Sequence, residues 1–278
     1  MKSNVREEDL DTFVRAGIVE IQPGIESLST HILQLMSKGI KALENIRLLR
    51  DALSRNIDVV WNFLTCIPGE AEEDYEQMLA LLPLLQHLRP PVRWGPIRIS
   101  RYSPYHRNPA DYGIRGLQPW IAYREFYGDY AERLAHHFVG EYETEFTRNS
   151  GLKLRFDQAM RVWAYAWLKP GRPPSLSLHR VEGGRALVHD SRAAGSAESY
   201  VLSREMLATL DQIRRPTPPA QIPEAHRIMV EQLVEMKLAV QHEGEFLGLT
   251  LEPDIGERLR SERRGLLNRD RMPTPAVH

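Results

Sequence analysis

Apolar residues recur at helical spacing from about Arg6 to Ala16, where Leu10, Phe13 and Val14 form one stripe. Ser3 or Asn4 can cap this helix and Gly17 stops it. Ile18 to Gln22 then reads as a short strand, broken by Pro23 and Gly24. Helical spacing returns from Thr30 to Ser37 and, after Gly39, from Lys41 to Asn56, with Leu43, Ile46, Leu49 and Leu53 on one side. Ile57 to Leu64 is almost continuously apolar, the pattern of a strand covered on both faces, and this favours a parallel sheet. Ile67-Pro68-Gly69-Glu70 turns into a helix with an acidic start, bent at Pro83 and running to about Leu88; Pro96 to Arg101 is a third strand.

Strands separated by helical crossovers specify a parallel α/β sheet. Three strands are too few to close a barrel, so one sheet edge is open, and an isolated chain with such an edge is prone to association. Residues 102 to 150 are aromatic-rich and mostly helical in pattern, most clearly from Tyr130 to Tyr142. Lys153 to Leu168 is an amphipathic helix, followed by a turn or linker at 169–174. Beyond it lie short strands with Gly183-Gly184 as a hairpin turn, helices at about 203–213 and 224–236, and a final hairpin around Glu243-Gly244. The expected division is residues 1–150, a β/α unit with a helical extension, and 151–278, a small α+β unit of winged-helix-like pattern with a disordered tail after Leu266.

Composition narrows the function. The 278 residues carry 36 Lys and Arg against 37 Asp and Glu, a net charge of −1, so bulk charge gives no reason to expect a nucleic-acid partner. No apolar run approaches the ~20 residues of a membrane span, and MKSNVREEDL lacks the apolar core of a secretory signal. One cysteine, Cys66, excludes an intramolecular disulfide framework and fits a cytoplasmic protein. It equally excludes any site built from this chain alone that needs two thiolates. The ten histidines include no i, i+4 pair, and adjacent His136 and His137 point to different faces, so no metal site is expected.

Parallel β/α sheets bind ligands at the C-terminal ends of their strands. Three loops lie there: Gln22-Pro23-Gly24-Ile25-Glu26-Ser27, Thr65 to Glu70, and Ser100 to Tyr105. The first offers an amide, a carboxylate and a hydroxyl, and Gly24 lets backbone approach a ligand. Glu26 and Ser27 suit a helix cap equally well. Pro-Gly-Glu is common turn chemistry. Helix 224–236 is mixed in charge, which argues against phosphate tracking, while the C-terminal strands can take an added peptide strand or simply cap the sheet.

Taken together, Gly24-Ile25-Glu26-Ser27, the basic Lys38 before Gly39, and the strand ending in Pro68-Gly69-Glu70 resemble the second half of a radical S-adenosylmethionine (SAM) barrel. Trp61-Asn62, the Leu-Leu-Pro-Leu-Leu run at 81–85 and the stretch from Pro96 to Tyr105 resemble more narrowly the cobalamin-type members that mature ribosomally made peptides, often as C-methyltransferases. The similarity covers roughly residues 5 to 130. It implies a partial parallel β/α barrel in which Gln22, Gly24, Glu26, Ser27, Lys38, Asn62, Ile67 and Gly69 surround SAM. Lys38 would face the SAM carboxylate, Gln22, Glu26 and Ser27 its ammonium and ribose, and the turn at Ile67 and Gly69 its adenine. Arg98, Arg101 and Tyr102 would line the peptide side; otherwise they alternate along an edge strand, and Lys38 is a solvated residue at a helix end.

Two departures accompany the resemblance. Cys66 stands where the family usually has glycine. The family's Cys-x3-Cys-x2-Cys motif, whose thiolates hold an iron–sulfur cluster, is absent, as are the first strands and a cobalamin domain. The expectation is the C-terminal portion of a peptide-modifying, C-methylating enzyme, inactive alone: a fragment, a mis-started frame, or a partner of a separate N-terminal chain that carries the motif. The alternative is a non-catalytic module that binds a peptide or a partner enzyme.

Overall fold

A computed structural model describes residues 1–169, 171–193 and 197–269. Pro170, in the expected linker, and 270–278 of the expected tail lie outside them.

The chain is mixed α/β. Helix α1 (Glu7–Ala16) starts with Glu7, Glu8 and Asp9, favourable at the positive end of the helix dipole, and stops at Gly17 in the left-handed conformation. Strand β1 (Glu20–Ile21), α2 (Thr30–Leu35), α3 (Ala42–Ser54), β2 (Asp58–Val59), β3 (Asn62–Thr65), α4 (Glu72–Leu81) and β4 (Arg93–Pro96) follow. β1 pairs with β2 and β3 with β4, both parallel, and a parallel bridge from Glu26 to Phe63 ties the first strand line to β3. α2 and α3 form one crossover and α4 the next.

Along β2 and β3, Val59, Trp61, Phe63 and Thr65 are buried, Asn62 is exposed, and Val60 and Leu64 are half-buried. The apolar run had implied two covered faces; one is covered and the other is open. The covering layer is α4 with α9 (Ser150–Leu168): Phe63 meets Phe156 at 5.2 Å and Trp61 meets Trp163 at 6.1 Å between ring centroids.

After β4 the chain forms an antiparallel sheet from β5 (Ile99–Ser100), β6 (Arg115–Pro119) and β7 (His137–Glu141), with short helices α5 (Pro104–Arg107), α6 (Ile121–Tyr127), α7 (Ala131–Leu134) and α8 (Glu145–Arg148). This corrects two expectations. The third strand line begins at Arg93, not Pro96. The helix read from Tyr130 to Tyr142 is one turn at 131–134 followed by β7, whose backbone is claimed on both sides by β5 and β6.

The remaining chain forms an antiparallel sheet of β8 (Leu176–Val181), β9 (Arg185–Asp190) and β10 (Glu198–Leu202), then α10 (Arg204–Gln212), α11 (Arg227–Glu235), the hairpin β11 (Ala239–His242) and β12 (Glu245–Gly248), and α12 (Pro253–Arg269). The disorder expected after Leu266 does not hold for residues 267–269, which continue α12. One continuous hydrophobic core runs from Val5 to Leu259. Polar ties reinforce it. Arg50 donates to the carbonyls of Gly248 and Arg214, at 2.5 and 2.6 Å, and His87 Nε2 lies 2.8 Å from the Leu249 carbonyl. Arg50 and Arg47 also flank buried Asp51.

Candidate functional site

The parallel bridge from Glu26 to Phe63 brings the turns after β1 and β3 to the same end of the parallel strands, and a third turn follows β5. Each turn contains a non-glycine residue in the left-handed region: Glu26 at φ 62°, Cys66 at 60° and Tyr102 at 68°. That conformation costs an L residue ~1–2 kcal/mol, and such strain concentrates at functional sites.

In the first turn, Lys38 Nζ donates to Glu26 Oε1 at 3.2 Å; the lysine side chain is 31% and the glutamate 22% exposed. Gly24 lies against this ion pair. A methyl group added there would sit 3.1 Å from Glu26 Oε1 and 3.2 Å from Lys38 Nζ. So Gly24, Glu26 and Lys38 come together, 14 residues apart in sequence, in a spot that solvent reaches. Ser27 does not join them. It is fully buried, its hydroxyl faces Met78 Sδ at 3.8 Å and it accepts from the Ser29 amide. Gln22 and Asn62 are exposed, Gln22 just beyond β1 and Asn62 on the open face of β3.

The second turn is self-satisfied. Ile67 is fully buried and its amide donates to Glu70 Oε2 at 2.9 Å. Tyr75 donates its hydroxyl to the same oxygen at 2.6 Å. Burial pushes the Glu70 carboxyl above the ordinary glutamate value. Gly69 is exposed at φ 92°, where glycine carries no strain. Cys66 is 9% exposed, its carbonyl accepts from the Tyr142 hydroxyl at 2.8 Å, and burial raises its thiol. A buried, protonated thiol is a poor nucleophile and a poor metal ligand.

In the third turn Tyr102 is 66% exposed, and Arg98 stacks its guanidinium 4.4 Å from the Trp120 ring. Arg101 is held by main-chain carbonyls of the segment before β7. It donates to the carbonyls of Ala135, at 2.6 Å, and Glu132, and lies over Phe138.

Two buried residues that sequence reasoning missed hold the first two turns. Asn45 Nδ2, on α3, donates to the carbonyls of Ile25 and Ser27, both at 3.0 Å. Asp74, on α4, accepts from the Ser29 hydroxyl at 2.6 Å and the Ala71 amide at 2.9 Å, and lies 2.8 Å from His31 Nδ1. It thereby links the segment after β1 to the turn after β3. The signal for Asn45 was an amide inside the apolar stripe of Leu43, Ile46 and Leu49.

Residues 2–82 match the family model of the radical SAM superfamily. No curated protein and no solved structure matches the chain. The superfamily implies SAM and an iron–sulfur cluster. The cluster does not fit these residues: Cys66 is the one cysteine in the chain and it is buried, and no group of three or more His, Cys, Asp and Glu positioned for a metal occurs among the described residues. No helix among them is long and apolar enough to cross a membrane.

Proposed function

We propose that this chain binds SAM, or a product that keeps its adenosyl and amino-acid parts, at the rim formed by Gly24, Glu26 and Lys38, with Gln22, Asn62 and the Ile67–Gly69 backbone around it. The four parallel strands β1 to β4 are then later strands of a partial β/α barrel, and Arg98 and Tyr102 belong to its peptide side. One observation carries this reading: within the stretch that matches the superfamily, a carboxylate and an ammonium 3.2 Å apart flank a glycine at the strand ends. The amino-acid end of SAM carries the same two charges with opposite placement, so its ammonium can take Glu26 and its carboxylate Lys38. The peptide substrate, the C-methylation and the cobalamin rest on the resemblance of the Trp61-Asn62 and 96–105 stretches, and the cytoplasmic location on the single cysteine.

A cluster that needs three thiolates must draw them from outside these 278 residues, so the chain by itself cleaves no SAM. The second reading is a module that binds a peptide or a partner enzyme through its α+β, winged-helix-like C-terminal unit. The single buried cysteine favours it for the chain alone. Anaerobic reconstitution with iron and sulfide separates the two. Both readings predict near-zero iron per chain when it is alone. Restored SAM cleavage on mixing with a polypeptide that supplies three cysteines would establish the enzymatic reading. Peptide binding without cleavage in every mixture would establish the module.

A further inference from the structure

The segment that carries Lys38, residues 36–41, is held from the far end of the sequence. It lies between α2 and α3 and turns twice through the left-handed region, at Ser37 (φ 54°) and Gly39 (φ 68°). The start of α2, the helix before it, and the start of α3, the helix after it, are both tied to the β11–β12 hairpin. At the α2 side, Glu243 Oε1 accepts from the Thr30 amide at 3.1 Å and Oε2 from the Thr30 hydroxyl. That hydroxyl oxygen in turn accepts from the amide of Ala42, the first residue of α3, at 2.9 Å. At the α3 side, Lys41 Nζ donates to Glu245 Oε1 at 3.0 Å. One carboxylate at the hairpin tip therefore fixes the starts of both helices that bracket Lys38.

The tip itself is chosen against local preference. His242 pairs with Glu245, leaving a two-residue turn in which Glu243 (φ 49°) and Gly244 (φ 77°) are both left-handed. Such a turn favours Asn, Asp or Gly at its first position, and glutamate there is strained. Burial pushes the Glu243 carboxyl up, yet the His242 ring 3.4 Å away and the hydrogen bonds from Thr30 outweigh it and leave it below the ordinary glutamate range. Charge is thus retained at the tip at neutral pH.

We infer that Glu243 is a positioning residue for the rim: from the C-terminal unit it sets where Lys38 stands relative to Glu26, and with it the affinity for the amino-acid end of the ligand. The inference rests on the adenosyl-ligand reading for its affinity part only. The test compares Glu243→Asn, which suits the turn but is one methylene too short to reach Thr30, with Glu243→Gln, which keeps the length. In the full chain, hydrogen exchange across residues 30–42 and the affinity for S-adenosylhomocysteine are both measured. Glu243→Asn is expected to keep its Tm within about 2 °C, to speed exchange at Thr30 and Ala42 with no change across 58–66, and to weaken binding about tenfold, the loss of one charge-assisted contact. Glu243→Gln is expected to recover most of both. Lys41→Met is expected to loosen the same segment from its other side. Exchange in Glu243→Asn equal to wild type overturns the inference, whatever the ligand does. If exchange rises but wild type binds no ligand, the clamp stands and the adenosyl reading falls. If wild type binds and Glu243→Asn binds as tightly, the positioning role is overturned.

Discussion

The turns after β1 and β3 occupy equivalent places at the ends of neighbouring parallel strands, yet they spend their carboxylates differently. Glu26 faces solvent and pairs with Lys38 across Gly24. Glu70 turns inward and spends one oxygen on its own backbone and on Tyr75. A carboxylate at a strand end is thus no sign of a ligand site. What separates the two is whether its hydrogen bonds are consumed by the fold. The first turn leaves an ion pair that an incoming zwitterion can exchange with, and the second offers a ligand little beyond backbone and shape.

Four substitutions or conditions sharpen that contrast, from the largest expected effect to the smallest. Glu70→Ala strands a buried amide and a buried phenol, and is expected to lower stability by about 3 kcal/mol in denaturant melts while lowering ligand affinity of the folded protein only about twofold, through the Ile67 backbone it holds. A large affinity loss at full stability would make the second turn a binding element and break the comparison. Asn45→Ala removes two hydrogen bonds to the carbonyls of the first turn and is expected to cost about 2 kcal/mol. It should also weaken ligand binding, since the turn loses its anchor. Gly24→Ala puts a methyl group between the ends of two flexible side chains. Stability should move by less than about 1 kcal/mol, whereas affinity should fall about tenfold. Equal losses in both would show Gly24 to be structural.

The smallest effect is one of pH. Because burial raises the folded-state pKa of Glu70 above the ordinary 4.5, the folded protein binds this proton more readily than the unfolded chain. Its contribution therefore improves stability as pH falls through the raised value toward 4.5, and the gain is absent at higher pH. Melts of wild type and Glu70→Gln across that window should show the slope in wild type alone. A matching slope in the variant assigns it to another group.

Much of this was legible in the sequence where local pattern decides. Gly17, Pro23 and the acidic starts of α1 and α4 mark element ends through backbone rules that act within a few residues. Glu26 was named from its loop and Lys38 from the family resemblance, and the structure pairs them. Ser27 was named beside Glu26, but the left-handed turn at Glu26 separates the two side chains, and Ser27 is fully buried against Met78. The misread stretch from Tyr130 to Tyr142 shows the limit of propensity: β7 exists because β5 and β6 both need partners, a fact written some 20 to 40 residues away. Asn45, Asp74 and Glu243 were missed for the same reason, since each acts on backbone donors or acceptors that only the tertiary fold brings near.

The most direct measurement is a calorimetric titration of S-adenosylhomocysteine into the wild-type chain and into Glu26→Gln and Lys38→Met, without iron. The account predicts one saturable site in wild type, weakened about tenfold or more in each variant with melting temperature preserved. Equal binding in all three, or none in the wild type, would contradict it.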